Sequence, residues 1–481
     1  MPSSSPITAY DPAQIRLDYE YIVLEALYSS LTEHDPRDQL VSGVSDRFTW
    51  DNETTARFRI RPDLRTIDGL SITAEDVAFS LKRVLITGKN THGSLATLLC
   101  GSEPTSIDAP CDALRIDGDS VLIKLGKPNH FLFEILSSID FAIIPRSACD
   151  PNTLRIVDYR NTSGPDYLDK DLGSGRLLLK ANPHHFRFRS DMPQEIELVS
   201  NASGPGYRDP QLLYRDGIVD HVPTVGNTTS ENLAAFFTRD DLAIHRTLNL
   251  KTSFLTFTRH GRTRPQEERL RLTATIQRAI AQATSPDDRL TTPTRSLFPP
   301  ESDFAPTSDE MSSIERILDK AAENPHNGEG ITIVGTSGRI RALERILRPV
   351  LPRVRLVEAP IEDFVERSGP NSWEDTADLK SFVTDVAIAE EINGISYGLK
   401  RGRYALAEEE IEPWLERYLN ISDKRDRITM MRRLHIRSIV EDTVLIPLHS
   451  MPYVATIKKP WHFEFSRSIA NNQFHWLRYS P

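Results

Sequence analysis

The chain has 481 residues, 39% of them hydrophobic and 26% charged, in proportions ordinary for a globular protein. That length exceeds one average core and, at roughly 150 residues per domain, suggests about three folding units. Fifty-eight basic against 68 acidic side chains give a net charge of −10, which argues against nucleic acid as a partner, and no stretch approaches the ~20 apolar residues of a membrane-spanning helix.

The start, Met1 to Pro6, has neither a basic region nor an apolar run of the kind that opens an export signal. It is read either as following a removed signal or as the start of a cytosolic chain. Leu17, Tyr21, Leu24, Tyr28 and Leu31 recur at helical spacing and predict a first helix with one buried face. From Thr55 to Arg61, Ala56, Phe58 and Ile60 alternate with Arg57, Arg59 and Arg61, the pattern of a half-exposed strand. Asp68-Gly69 is a turn pair. Thr73 can cap the helix that follows, answered by Asp76 in a shortened capping box, with Val77, Leu81, Val84 and Leu85 on one face. Val121, Ile123 and Leu125 repeat the strand alternation, and 176–181 and 194–199 read as further short strands.

Of the three cysteines, Cys100 and Cys111 flank a loop containing Gly101, Pro104 and Pro110. A Cys100–Cys111 disulfide there would contribute about 2–3 kcal/mol in the chain-entropy view; the alternative is three reduced thiols, Cys149 included. No Cys-x-x-Cys or His-x-x-x-His spacing points to a metal, and no cofactor is expected.

Past residue 250 the character changes. A strand at Phe254–Thr258 precedes a helix over Glu268–Ala283, and Pro293, Pro299, Pro300 and Pro306 mark a long irregular connection. Ile331–Val334, Ile340–Leu347 and Val354–Glu358 are spaced as a strand–helix–strand crossover with parallel strands. Ser381–Ala389 reads as a strand, and Ile411–Leu419 and Ile428–Val440 as helices that end at Ile446-Pro447-Leu448. In the tail, Trp461, Phe463 and Phe465 alternate and give an aromatic face for the core.

Residues 68–85 carry wording as well as periodicity. Asp68-Gly69, Ile72-Thr73-Ala74-Glu75-Asp76-Val77, Phe79-Ser80-Leu81 and Arg83 resemble a segment of the extracellular solute-binding proteins of family 5, the peptide-, nickel- and oligosaccharide-binding receptors of ABC importers. Tyr10-Asp11-Pro12-Ala13 is similar to that family's Leu-Asp-Pro-Ala opening, and Leu24 to Leu31 to its Leu-x-x-Leu-Tyr-Glu-x-Leu helix. Trp50 to Asp63, Ser163-Gly164-Pro165, Asn182 to Phe186 and Lys424 to Leu448 follow in the expected order, so the resemblance spans about Tyr10 to Trp476.

The resemblance implies an α/β, two-lobe periplasmic-binding-protein-like fold of the class with a large, subdivided lobe I and a ligand cleft between lobes. Lobe I would comprise 1–249 and 444–481, and lobe II 250–443. It also implies a monomeric receptor, not an enzyme, that closes over a small solute by hinge bending and hands it to an ABC permease. The place of action would be the periplasmic or extracellular face. A cytosolic solute sensor on the same fold is the alternative.

In the peptide-binding relatives a lobe II strand ends in Trp-x-Ala-Asp-Tyr-Pro-Asp-Pro, whose Asp holds the peptide's terminal amine. Here the matching stretch, Asp385 to Tyr397, has no Trp and no Asp-Tyr-Pro. Asn393 or Gly394 takes the Asp position, and Glu390 or Glu391 is the substitute carboxylate for an amine, since a buried carboxylate–ammonium pair is a strong charge-assisted bond. Tyr28, Glu390, Glu391, Asn393, Tyr397, His449 and Tyr453 are therefore the candidate ligand residues, with core packing the competing reading of Tyr28 and solvent exposure that of the two glutamates. Gly335-Thr-Ser-Gly338 lacks the lysine of a P-loop and reads as a plain strand-to-helix turn. His184 and His185 read as surface histidines, and no catalytic motif is evident.

Overall fold

The computed structural model describes residues 2–3, 10–14, 18–37, 39–87, 106–173, 175–200, 210–222, 238–248, 251–284, 291–298, 300, 302–359, 382–390, 406, 408–464 and 473–480. The chain divides into two compact units, one of 1–246 with 454–481 and one of 247–453. By this division the second unit runs from Thr247 to Tyr453, where the resemblance implied a lobe II of 250–443.

The first unit holds three main sheets. Ser45–Asn52, Thr55–Ile60, Ser120–Lys124 and Leu114–Asp117 form an antiparallel sheet in that order. Its apolar positions behave as their alternation dictates: Ala56, Phe58, Val121 and Ile123 are wholly buried, while Arg57 pairs with Asp51 and Asp117, and Arg59 with Asp46, on the outer face. A second sheet runs Pro2–Ser3, Glu195–Ser200, Arg176–Ala181, Asp166–Gly173. In the third, Val454–Lys458 lies between His221–Val222 and Leu242–Arg246, so the C-terminal segment is built into this unit by backbone pairing.

The first helix, Asp18–Leu27, ends sooner than its apolar spacing implied; Tyr28 and Leu31 are buried in the extended segment beyond it. Together with the helix Ala74–Thr87 it feeds a core that includes Leu24, Leu27, Tyr28, Phe79, Ile144 and Leu179. Thr73 and Asp76 form the expected reciprocal cap: the Thr73 N–H donates to Asp76 Oδ2 at 2.9 Å, and the Asp76 N–H to Thr73 Oγ1 at 3.4 Å. Trp461 and Phe463, on the strand Trp461–Phe463, pack at the rim of the same core, and Phe465 lies outside the described residues.

The second unit is built on a six-stranded mixed sheet ordered Thr292–Pro293, Leu445–Met451, Lys251–Phe257, Phe382–Glu390, Thr332–Thr336, Arg355–Ala359. The crossover read from the sequence is present: Thr332–Thr336 and Arg355–Ala359 pair in parallel through the helix Ser337–Leu347. The helix Gln266–Ala283 covers the sheet, its Leu272, Ile276 and Ile280 packing with Leu255, Ile333 and Ile446.

Two further elements differ from the sequence reading. A helix at Ser308–Ala321 occupies part of the region read as irregular, opened by a full capping box between Thr307 and Glu310. Leu445–Met451 is a strand although Pro447 stands in it; the register shifts between Ser253 and Phe254, and a bulge is where a sheet tolerates a residue without an N–H.

Candidate functional site

The sequence-predicted ligand residues that the structure describes in the second unit converge on one end of its six-stranded sheet. Lys251 pairs with Glu390 on one side and Met451 on the other. One step in, Thr252 pairs with Ala389 and Ser450, and next, Ser253 with Ile388 and His449. Thr292 and Pro293 extend these rows by pairing with Ser450 and His449. With neighbouring strands ~4.8 Å apart, the backbones of Glu390 and Met451 stand about 10 Å from each other across Lys251. The bulge beside Leu448 resets the facing of His449 and Ser450 relative to Leu445–Pro447.

Thr252, Ser253 and Ser450 are buried at this end, and His449 and Tyr453 are half-buried. Tyr453 also fixes the backbone here: its N–H donates to Thr247 Oγ1 at 2.8 Å, and its carbonyl accepts from the Thr247 N–H at 3.0 Å. The two strands entering and leaving this unit are thereby tied together. The hydroxyl residues Thr252, Ser253, Thr292 and Ser450 were missed in the sequence; only their place at strand ends beside His449 marks them, and that requires the register. Glu390 is described at its backbone, as the last residue of its strand. Glu391, Asn393, Gly394 and Tyr397 lie outside the described residues.

Tyr28 belongs to the core of the first unit. It is 2% exposed, its hydroxyl donates to the Tyr10 carbonyl at 3.3 Å, and burial holds its pKa well above the usual phenol value. Cys111 is engaged in a disulfide and Cys149 is a buried free thiol, raised to about 11 chiefly by burial; Cys100 is outside the described residues.

His184 is exposed, as read, but His185 is buried, which corrects the surface reading. Its Nδ1 accepts from the Arg187 N–H at 3.2 Å, so the ring proton of the neutral imidazole sits on Nε2, 3.2 Å from Ser29 Oγ. Burial keeps its pKa well below the ordinary value. Nε2 therefore donates to Ser29 and cannot take its proton, so this buried pair is a packing contact and not a nucleophile with its base.

The segments that carry the sequence resemblance also find physical roles. Arg83, the last residue of the 68–85 wording, forms a bidentate pair with Asp11 of the Tyr10–Ala13 opening, and its Nε donates to the Leu154 carbonyl at 2.7 Å. Ser80 Oγ accepts from the Ile144 N–H at 2.8 Å, and Asp76 Oδ1 from the Arg146 N–H at 2.8 Å. Gly335 ends in a plain strand-to-helix junction, Thr332–Thr336 running into Ser337–Leu347. Among the described residues no cluster of three or more metal-ligating side chains occurs, and no helix is long and apolar enough to cross a membrane.

No family model and no curated protein matches the sequence. Solved structures do match over nearly the whole chain. NikA from Brucella suis, in complex with Fe(III)-EDTA, is 15% identical with a TM-score of 0.75, covering 100% of this chain and 99% of that one. The murein tripeptide binding protein MppA of Escherichia coli is 14% identical with a TM-score of 0.74, covering 99% and 97%. OppA of Haemophilus influenzae, in complex with the peptide RPPGFSPFR, is 13% identical with a TM-score of 0.73, covering 99% and 98%. The fold is therefore that of the two-lobe α/β periplasmic binding proteins, the class that the sequence motifs resemble.

Proposed function

We propose that the chain is the solute-binding receptor of an ABC import system, taking an oligopeptide-like or other polar small molecule and acting at the periplasmic or extracellular face as a monomer. The observation that carries this reading is the agreement in fold, over 97% or more of both chains, with a murein tripeptide binding protein and with proteins seen in complex with a peptide and with Fe(III)-EDTA. Closure of two lobes by hinge bending, as the resemblance implies, would let the ligand select the closed form through its differential affinity. The ABC permease would be the partner that receives the solute.

Within that reading, the sheet end formed by Lys251–Ser253, Ile388–Glu390 and His449–Met451 is the ligand-contacting part of the second unit. It places the backbones of Thr252, Ser253, His449, Ser450 and Glu390 within a few residues of one another, residue types whose mixture fixes a ligand's orientation in an otherwise apolar site. Glu390 is assigned the amine of a peptide-like ligand, with Glu391, Asn393 and Tyr397 following it and Tyr453 beside His449.

A thermal-shift screen of peptides, sugars, opines and metal chelates tests this. A solute present at 100 times its dissociation constant should add about 2.7 kcal/mol of stability. For a peptide that shifts the wild type, Glu390→Gln should weaken binding about tenfold or more through loss of the charge-assisted bond. Unchanged peptide affinity would remove Glu390 from the site, and absence of any shift across all four solute classes would remove the receptor reading.

A further inference from the structure

Asp166 opens the strand Asp166–Gly173 and is wholly buried, and neither carboxyl oxygen has a hydrogen-bond partner among the described residues. An ionised carboxylate in that position would be desolvated with no group among the described residues to offset the loss. The residue closes a short loop that holds several elements of the first unit together. Ser163 Oγ accepts from the Ser29 N–H at 3.0 Å and donates to the Ile143 carbonyl. The Gly164 N–H donates to the Leu27 carbonyl at 3.0 Å, and the Pro165 carbonyl accepts from the Asn182 N–H at 2.8 Å. Thr162 Oγ1 closes the loop on itself by donating to the Asp166 carbonyl at 3.1 Å.

Of the charged groups on the joined elements, Glu25 on the helix Asp18–Leu27 is itself buried, and it does not contribute to the shift at Asp166. On the paired strand Ala181 stands opposite Asp166, and the neighbouring Lys180 is held by Asp169 and Glu195. Further along its own strand Asp169 also meets Arg160, whose guanidinium reaches Asp68 as well. Asp158 binds the Asn161 amide; the Arg65 carbonyl accepts from Asn182 Nδ2, while the Arg65 guanidinium donates to the Gly69 carbonyl and to Ser71 Oγ. His185, in the turn after Asn182, faces Ser29.

We infer that Asp166 is a buried proton-binding site that holds the 162–166 loop in place when protonated and loosens it when ionised, so that the first unit is a pH-sensitive element. Burial raises this carboxyl to about 8, and no charged group among the described residues adds to the shift. The direction follows from that value. Below pH ~4 the group is protonated both folded and unfolded. Between pH ~4 and about 8 only the unfolded chain ionises, and the folded-to-unfolded ratio falls by up to about tenfold per pH unit from this group. Above about 8 both states ionise, and the buried charge acts on the loop itself.

The test is the melting temperature of the full chain from pH 5 to 9, for the wild type and for Asp166→Asn and Asp166→Leu. Both substitutions should flatten the decline between pH 5 and 8 relative to the wild type. Amide hydrogen exchange at 162–168, corrected for its intrinsic pH dependence, should rise above pH 8 in the wild type and in neither variant. Curves that run parallel for all three proteins, or exchange in this loop that is independent of the residue at 166, would overturn the inference. A variant too unstable to melt cooperatively is replaced in both comparisons by the other.

Discussion

Replacing Arg83 by alanine should cost about 3–5 kcal/mol of folding stability, read as the loss in the first unit's denaturant transition. The guanidinium side chain is 2% exposed and Asp11 10%, so the alanine variant leaves a nearly desolvated carboxylate without its bidentate partner and the Leu154 carbonyl without its donor. Asp11→Ala should cost a similar amount, because it strands the cation instead, and it also removes the acceptor of the Ala13 N–H. The double variant Arg83→Met with Asp11→Leu should be less destabilised than the sum of the two single losses, since replacing both partners by apolar groups removes the desolvation cost of each ion. Additive losses would mean that the two side chains act independently, which their geometry contradicts.

Gly164→Ala should be the second severe substitution, at about 3 kcal/mol. A Cβ at this position would sit 2.3 Å from Leu27 C, 2.4 Å from Tyr28 N and 2.5 Å from the Ala26 carbonyl oxygen. All three are backbone atoms at the end of the first helix, so no rotamer change can relieve the overlap. The loop would have to withdraw, breaking the Gly164 to Leu27 hydrogen bond and the Ser163 to Ser29 contact with it. Gly126→Ala is the control: nothing lies within 4 Å of its added Cβ, and its effect should stay within about 1 kcal/mol. Equal effects of the two substitutions, measured in the same denaturant series, would show that the close approach at Gly164 is not a constraint.

These two sites show what the sequence could convey. The wording at Tyr10–Ala13 and at 68–85 was visible as a resemblance, yet nothing local says that Asp11 and Arg83 meet, because 72 residues separate them. The alternation of Ala56, Phe58 and Ile60 and the cap at Thr73 were legible because period and capping are local physics. The helix Ser308–Ala321 carried its own signal, Thr307 and Glu310 followed by Met311, Ile314 and Leu318, but the prolines before it obscured the start. Pro447 misdirected the reading of Leu445–Met451, since only the bulge against Ser253 and Phe254 makes proline acceptable in that strand.

The candidate site was legible in part for the same reason. Ser381–Ala389 reads as a strand, and the strand runs Phe382–Glu390. That Glu390 and His449 end on either side of Lys251–Ser253 depends on pairings between residues far apart in the chain. His185 is the converse case: its contact with Ser29, 156 residues away, makes it an interior group where the pair His184-His185 looked like surface.

The claim that this chain is a solute receptor is tested most directly by native mass spectrometry of the protein as purified, followed by denaturation and identification of any released small molecule. The account expects a mass in excess of the 54.4 kDa chain by a discrete small solute, or the appearance of such a species on adding a peptide or metal chelate that shifts the melting temperature. A chain mass that no solute increases, in protein shown to be folded by its melting transition, would contradict it.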